Sequence, residues 1–260
     1  ATATFNTTVR ALIAAPEVGK VVVGGDFATV NGVANRGLVS LSPDTGAIVQ
    51  SYPGWIPNNS VVHVLTRDGD RFYVGAEGTG TGVFDGRIGG VLSTGEMVWK
   101  DLCLGATQAL AARDGVLYSG HHTHDCSLTP GGFPNGKRHH LLAQSVDDPT
   151  TILPWVPDTN DGVASGEAIG PRGMVFGGGD LWVVGEFTTV NGVPQQGITR
   201  FADEPDTGYV NAPVLTAASH STGKITVSWT AGYDLDDDKV TYELFREGTA
   251  APISVQTVRS

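Results

Sequence analysis

One stretch of the sequence occurs twice, as Val21-Val-Val-Gly-Gly-Asp-Phe-Ala-Thr-Val-Asn-Gly-Val33 and as Leu181-Trp-Val-Val-Gly-Glu-Phe-Thr-Thr-Val-Asn-Gly-Val193. Each copy is followed by a glycine and a short apolar segment, Gly37–Leu41 and Gly197–Phe201. Apolar runs joined by Asn-Gly turns are typical of β-hairpins. The two copies therefore predict a repeated antiparallel β unit.

Weaker copies of the same pattern lie between these two. Phe72–Glu77 and Leu117–His122 occupy the same place in their own units, each after an earlier apolar strand and a Gly/Asp turn. Four units begin near residues 7, 60, 105 and 168. Sets of four antiparallel strands that recur about every 45 to 65 residues are typical of β-propeller blades. A β-sandwich lacks such a repeat, and a β-helix needs a shorter coil.

The predicted fold is therefore all-β, with a propeller of at least four four-stranded blades over residues 1–206. Four blades are few for a closed ring, which favours a part of a larger propeller. Residues 212–260 form a different module, with alternating strands at Lys224–Thr230 and Val240–Arg246. Its early Trp229 is typical of a fibronectin type III sandwich, which needs about 100 residues, so we predict a partial domain joined by a linker at 205–211.

Charge and hydropathy exclude two classes of partner. The 260-residue chain has a formal net charge of −11 and only 16 Lys and Arg, which form no run. Nucleic acid and anionic membrane surfaces need clustered basic residues, so neither is expected as a partner. No apolar stretch approaches the roughly 20 residues of a membrane span, so we expect no membrane insertion. The small residues at 1–4 resemble the start of a secreted chain after signal-peptide cleavage.

The two cysteines, Cys103 and Cys126, could form a disulfide or remain two buried thiols. The composition, rich in Gly and Thr, favours a disulfide in an oxidising compartment. A loop of this size would stabilise the fold by roughly 3 kcal/mol in the chain-entropy model.

A family resemblance extends over nearly the whole chain and is most specific between Trp99 and Phe201. It is carried by five segments: Trp99-Lys-Asp-Leu-Cys103, His122-Thr-His-Asp-Cys126, Gly131-Gly-Phe-Pro134, His139-His140 and Gln195-Gln-Gly-Ile-Thr-Arg-Phe201. Their order resembles the later blades of large secreted actinobacterial proteins, mostly uncharacterised, that join a propeller of Gly-Gly-x-Phe repeats to fibronectin type III modules. The resemblance implies an extracellular location and a Cys103–Cys126 disulfide. It implies no established activity.

A histidine cluster in the third unit is the first candidate site. Five of the seven histidines lie between His121 and His140, and His122 and His124 would share one face of an extended strand, which suits zinc or copper. The alternative is a disulfide-pinned loop whose polar side chains bond one another or water. The family tends to read Cys-His-Gly-Asp where this chain has Cys103-Leu-Gly-Ala106, so two candidate ligands are missing here if the family's His and Asp help to bind a metal.

A ring of acids is the second candidate. Asp26, Glu77 and Glu186, with His122, hold equivalent positions in successive units, and such a ring could bind a cation or a polar ligand. The structural alternative is that each acid accepts backbone N–H bonds and fixes its hairpin. A third candidate, the acidic turn Asp234–Asp238, would suit calcium or be a solvated turn. A divalent metal, calcium or zinc, is thus the one cofactor that the sequence suggests.

The sequence contains no serine-hydrolase elbow, no His-Glu-x-x-His and no phosphate loop. We therefore expect an extracellular, non-enzymatic binding or scaffold module, whose partner is a glycan or a protein of the cell surface or matrix. The alternative is a secreted propeller enzyme, a polysaccharide lyase or hydrolase or a metal-dependent oxidase, that uses the region His121–His124.

Overall fold

The structure is a computed structural model that describes residues 2–101, 103–127, 138–149, 152–153, 155, 157–162, 169–202, 213–229 and 239–259. The predicted linker at 205–211 and the acidic turn Asp234–Asp238 lie outside these ranges. The chain divides into two compact units, residues 1–200 and 201–260. The described part is all-β, as predicted, and consists of small antiparallel sheets.

The first repeat forms a four-stranded sheet in the order β1-β2-β5-β6, with a hairpin of β3 and β4 set beside it. Its strands are β1 (Val9–Ala15), β2 (Lys20–Gly25), β3 (Thr29–Val30), β4 (Val33–Ala34), β5 (Leu38–Leu41) and β6 (Ile48–Ser51). A short 3₁₀ turn, Pro16–Val18, joins β1 to β2. The β3–β4 hairpin turns at Asn31 and Gly32, whose φ angles of 51° and 77° both lie in the left-handed region that an Asn-Gly pair tolerates.

The second and third repeats form the next two sheets. The second sheet has four strands, β7 (Ser60–Asp68), β8 (Arg71–Gly78), β9 (Arg87–Val91) and β10 (Met97–Lys100). The third sheet has three described strands, β11 (Thr107–Arg113), β12 (Val116–Thr123) and β13 (His139–Ser145).

The fourth repeat copies the first. Its sheet contains β14 (Pro171–Gly177), β15 (Asp180–Gly185) and β18 (Ile198–Phe201), and a hairpin of β16 (Thr189–Val190) and β17 (Val193–Pro194) again stands apart. Asn191 and Gly192 repeat the left-handed turn, with φ angles of 50° and 76°.

A preceding segment is attached to each of these two hairpins in the same way. The Oδ1 atom of Asn6 accepts hydrogen bonds from the amides of Ala28 and Thr29, at 2.8 and 2.9 Å. In the fourth repeat Asn160 accepts from Thr188 and Thr189, at 2.7 and 2.8 Å. The repeated unit therefore includes a short stretch that comes before its first strand.

The four sheets pack in series, with the first strand of each in contact with that of the next: β1 with β7, β7 with β11, and β11 with β14. The largest apolar cluster lies between the first and second sheets and includes Val22, Leu38, Val62, Phe72 and Ile88. Tyr73 and Leu110 belong to a smaller cluster between the second and third sheets. Burial of these side chains between successive sheets is the main source of stability in this unit.

The outer face of the fourth sheet differs from its counterpart in the first. Trp182 and Val184 hold the repeat positions of Val22 and Gly24. Val22 is fully buried against the second sheet, whereas Val184 is 43% exposed and Val175, which pairs with Trp182, is 62% exposed. The fourth sheet thus exposes the face that each earlier sheet presents to its successor.

The second unit has two described hairpins, β19 (Leu215–Ser221) with β20 (Lys224–Trp229), and β21 (Lys239–Leu244) with β22 (Ser254–Arg259). The rings of Trp229 and Tyr242 lie 5.4 Å apart and join the two hairpins. In the described part of the chain, no helix has the length and apolar character that crossing a membrane requires.

Candidate functional site

The same irregularity interrupts the first strand of every sheet in the first unit. The pairing register shifts between Val9 and Ala11, Val62 and Val64, Thr107 and Ala109, and Pro171 and Gly173. Each shift is a β-bulge, which leaves one residue outside the ladder and re-aims its side chain. The four bulged residues are polar: Arg10, His63, Gln108 and Arg172.

Three of the bulged residues contact the acid of their own sheet. Arg10 pairs with Asp26 through two bonds, Nε to Oδ1 at 2.5 Å and Nη2 to Oδ2 at 2.9 Å. His63 Nε2 lies 3.0 Å from Glu77 Oε2. Arg172 Nη2 lies 3.2 Å from Glu186 Oε1. The acids that the sequence singles out therefore have cationic or imidazole partners.

The third sheet carries His122 where the other sheets carry an acid. The amide of His122 donates to Ala106 O, as those of Asp26 and Glu186 donate to Thr8 O and Gly170 O. Gln108, the bulged residue of this sheet, reaches back to the second sheet and donates to Glu77 Oε2 at 2.5 Å. We call these eight residues the polar end: Arg10, Asp26, His63, Glu77, Gln108, His122, Arg172 and Glu186.

Glu77 contacts two polar side chains of the polar end, His63 and Gln108. The hydrogen bond from His63 lowers the pKa of Glu77, burial opposes this change, and Gln108 and the charge of Arg10 add to the lowering. The carboxylate therefore stays ionised at neutral pH and accepts hydrogen bonds rather than donating a proton. Its side chain is 23% exposed, so it remains accessible to a ligand.

His122 is held in its neutral form. Burial lowers the pKa of His122, and the charges of Arg138 and His124 lower it further, while Glu77 opposes them. Nearby, burial raises the pKa of Asp85, and the charge of His124 partly offsets this. Neutral imidazole and half-buried carboxyl groups thus adjoin the polar end at the second and third sheets.

The rings of His122 and His124 lie 6.2 Å apart between centroids. Within the described ranges, no three His, Cys, Asp or Glu side chains converge in a way that could hold a metal ion. A site at His122 and His124 would therefore need ligands from elsewhere, and metal binding there stays a prediction.

The predicted disulfide between Cys103 and Cys126 is confirmed. Both cysteines are fully buried and pack with Leu142 of β13. The bond closes a 23-residue separation and ties the segment before β11 to the segment after β12. It thereby fixes the end of β12, which carries His122, and the segment after it, which carries His124.

The sequence revealed the acids of the polar end but not their partners. A bulge depends on how two strands pair, so Arg10, His63 and Gln108 look like ordinary strand residues when read along the chain. One signal was available: a polar residue interrupts each predicted first strand at the same position of its unit. Aligning the four first strands would have shown this recurrence.

No family model matches the chain, and no curated protein matches it. Among solved structures, it is similar to the computationally designed Ika8 protein, with a TM-score of 0.44 and 15% identity. The alignment covers 87% of this chain and 62% of that one, so this chain spans less than two thirds of the Ika8 chain. The repeated sheets and the Cys103–Cys126 disulfide define an all-β, disulfide-containing protein built from repeated antiparallel sheets.

Proposed function

We propose that this protein is a secreted, non-enzymatic binding module that recognises a glycan of the cell surface or matrix through the polar end. In this proposal residues 1–206 are blades of a β-propeller, and residues 212–260 are part of a fibronectin type III domain that spaces the blades from other domains. The protein would belong with the secreted actinobacterial propeller proteins that its sequence resembles.

Two features support the blade architecture. The sheets share one strand order, and each sheet's first strand packs on the next sheet's first strand. In a propeller the first strands surround a central axis, so equivalent residues of successive blades meet at one end of it. The disulfide supports an extracellular location because such bonds persist in oxidising compartments.

One observation carries the binding proposal: a bulged side chain meets an acid at the same end of three sheets. Paired charges held by a rigid sheet offer donors and acceptors at fixed positions, which is what a ligand rich in hydroxyl groups requires. The hydrogen bond from His63 also favours the ionised form of Glu77, because it lowers the pKa of that carboxyl. Ionised, hydrogen-bonded carboxylates suit recognition better than general acid catalysis.

A glycan array probed with the full chain tests this function. We expect binding to a restricted set of glycans, and we expect Asp26→Asn and Glu77→Gln to weaken it by at least about tenfold, since each removes a charge-assisted hydrogen bond. Asp180→Asn is the matched control, because Asp180 pairs with Arg200 outside the polar end. A blank array, or equal binding by all three variants, would overturn the proposal.

The distance between the rings of His122 and His124 favours a second candidate function, a divalent-metal site in a secreted enzyme. A neutral imidazole can offer a nitrogen lone pair to a metal ion, so the lowered pKa of His122 suits this role. Titration with Zn²⁺ tests it: stoichiometric binding that His122→Ala and His124→Ala abolish supports the metal site. Absence of binding by the unaltered chain removes it.

A further inference from the structure

A cavity of about 340 Å³ opens at the outer strands of the first sheet. It lies where β5 begins and β6 ends, and its walls include Asn35, Arg36, Leu38, Tyr52, Pro53 and Asn58. The volume is at the lower end of the range for small-molecule sites, roughly 300 to 1,000 Å³. The cavity is therefore large enough for a ligand the size of one sugar unit.

Two polar side chains in this cavity have unused hydrogen-bonding capacity. Asn35 is only 5% exposed, yet its Oδ1 atom is buried without a partner, and its Nδ2 makes one long contact of 3.4 Å to Val33 O. The Nε atom of Arg36 is also buried without a partner. A buried polar atom left unpaired costs about 1–3 kcal/mol, so a full set of hydrogen bonds does not hold this wall of the cavity.

The charge of Arg36 is not balanced by an acid. Its terminal nitrogens donate to three backbone carbonyls, those of Asp26, Asn58 and Ser60, at 3.4, 2.5 and 2.9 Å. No ion pair joins it to any carboxylate in the part of the chain that the structure describes. These three carbonyl contacts fix the guanidinium in place and leave its positive charge available.

The fourth repeat, which has no following sheet in the described part of the chain, carries other residues at these two positions. Asn35 and Arg36 correspond to Gln195 and Gln196 in the fourth repeat. The backbone bonds around both pairs agree: Gly37 N donates to Phe27 O at 2.8 Å, and Gly197 N donates to Phe187 O at 2.9 Å. Arg36 therefore does not close the hairpin, and its bonds to Asn58 O and Ser60 O join the first sheet to the second.

We propose that this cavity binds a small hydroxylated carboxylate, of the size and chemistry of a single hexuronate unit. A carboxylate would lie against the guanidinium of Arg36, whose Nη1 keeps one uncommitted hydrogen, and hydroxyl groups would contact the side-chain amides of Asn35 and Asn58. Leu38, Pro53 and the ring of Tyr52 provide apolar surface for one face of a sugar ring. This ligand site is separate from the polar end and does not depend on the function proposed for it.

Isothermal titration of the full chain with glucuronate tests the proposal, with glucose and cyclohexanecarboxylate as parallel probes. We expect glucuronate to bind at least about tenfold more tightly than glucose, because glucose lacks the carboxylate. If cyclohexanecarboxylate binds as well as glucuronate does, the hydroxyl groups contribute nothing and the proposed hydroxylated ligand is wrong. Equal affinity for glucose and glucuronate, or binding of none of the three, would overturn the proposal.

Two variants locate the site. Arg36→Gln, which installs the residue of the fourth repeat, should weaken glucuronate binding at least about tenfold. Ala34→Trp should do the same by filling the mouth of the cavity, where Ala34 is exposed, and it keeps Arg36 if the first variant proves unstable. Arg67→Gln is the matched control, since Arg67 donates to Ala14 O away from the cavity. Unchanged binding by a folded Arg36→Gln or Ala34→Trp chain would refute the assignment, whereas Glu77→Gln should leave this binding unaltered.

Discussion

Arg87 is the largest fully buried side chain in the described part of the chain, and its charge is met by Asp101. The Arg87 Nε and Nη2 atoms donate to Asp101 Oδ2 at 2.8 and 2.5 Å, and Nη2 also donates to Cys103 O at 3.0 Å. Gln144 of the third sheet donates to the same carboxylate at 2.9 Å. This network joins the second and third sheets beside the disulfide.

Removing one member of this pair should be costly. Arg87→Met would leave the Asp101 carboxylate buried and unpaired, and we expect it to lower the free energy of unfolding by about 3–5 kcal/mol. Denaturation in urea measures this change. Arg10→Met is the control, because its pair with Asp26 is partly exposed and should contribute about 0–1 kcal/mol. Equal losses in the two variants would contradict this account.

His140 gives stability a pH dependence. Burial by itself lowers the pKa of His140, but hydrogen bonds and charges from Asp158 and Asp161 outweigh it and raise the pKa above its ordinary value. The Nδ1–Oδ1 and Nε2–Oδ1 distances to these acids are 3.0 and 2.8 Å. Because the folded state binds the proton more tightly, this contribution is full below the unfolded pKa of about 6.5 and is lost as pH rises through the folded value.

The prediction compares the unaltered chain with His140→Gln. The difference in their free energy of unfolding should be largest near pH 6 and should shrink towards pH 9. Urea denaturation at several pH values measures it. Because both chains contain His122, taking the difference removes its opposite contribution: its lowered pKa makes the folded state less stable as pH falls. A His140 difference that grows with pH would contradict the assignment.

At the scale of strands and turns, the repeated sequence predicted the architecture well, but it predicted few of the contacts between side chains. The Asn31-Gly32 and Asn191-Gly192 turns were readable because their local chemistry selects the turn type. The burial of Trp55 was also predictable, because a tryptophan closes each of three units, as Trp55, Trp99 and Trp155. The Arg87–Asp101 pair was not, because it requires the register of two strands and the approach of a third sheet.

Asn6 and Asn160 show that contacts between separate segments are also hard to predict from the sequence. Each holds its neighbouring hairpin through a side-chain oxygen, yet neither lies in a predicted strand or in the quoted repeat. Hydrogen bonds between segments about 20 to 30 residues apart leave no local pattern in a single sequence. The candidate site was similarly half predicted: the acids follow from the repeat, and their bulged partners follow only from strand pairing.

The two adjacent glycines of β9 allow close approach of aromatic rings. The rings of Trp55 and Phe72 stack at 5.8 Å over Gly90, where an added Cβ would lie 2.5 Å from Phe72 and 2.7 Å from Trp55. We expect Gly90→Ala to lower the free energy of unfolding by about 1–3 kcal/mol through overpacking. Urea denaturation followed by tryptophan fluorescence measures this loss.

Gly177→Ala is the matched control for this strand effect. An added Cβ at Gly177 would lie 3.6 Å from the nearest atom of Trp182, an ordinary contact distance. That change should be close to neutral, because alanine also restricts the unfolded chain. A loss at Gly177 as large as that at Gly90 would mean that strand propensity, and not ring packing, sets the cost.

At the scale of the first unit, each sheet depends on its neighbours in chain order. In such an array, stability is approximately a sum of contributions from single repeats and from adjacent interfaces. The second sheet has two packed faces, and the fourth has one. We therefore expect amide hydrogen exchange to be slowest in β8 and β9 and fastest in β14 and β15. Hydrogen exchange measured by NMR or mass spectrometry checks this order, and uniform protection across the four sheets would contradict it.

The exposed face of the fourth sheet also bears on how such a chain can lengthen. Val184 and Trp182 hold the positions at which the first sheet receives the second, so an added copy of the repeat after β18 would meet an apolar surface that follows the existing pattern. No bond inside the four present sheets would need to break for this addition. The same construction rule can therefore produce chains with different numbers of repeats, each gaining one more interface per duplication.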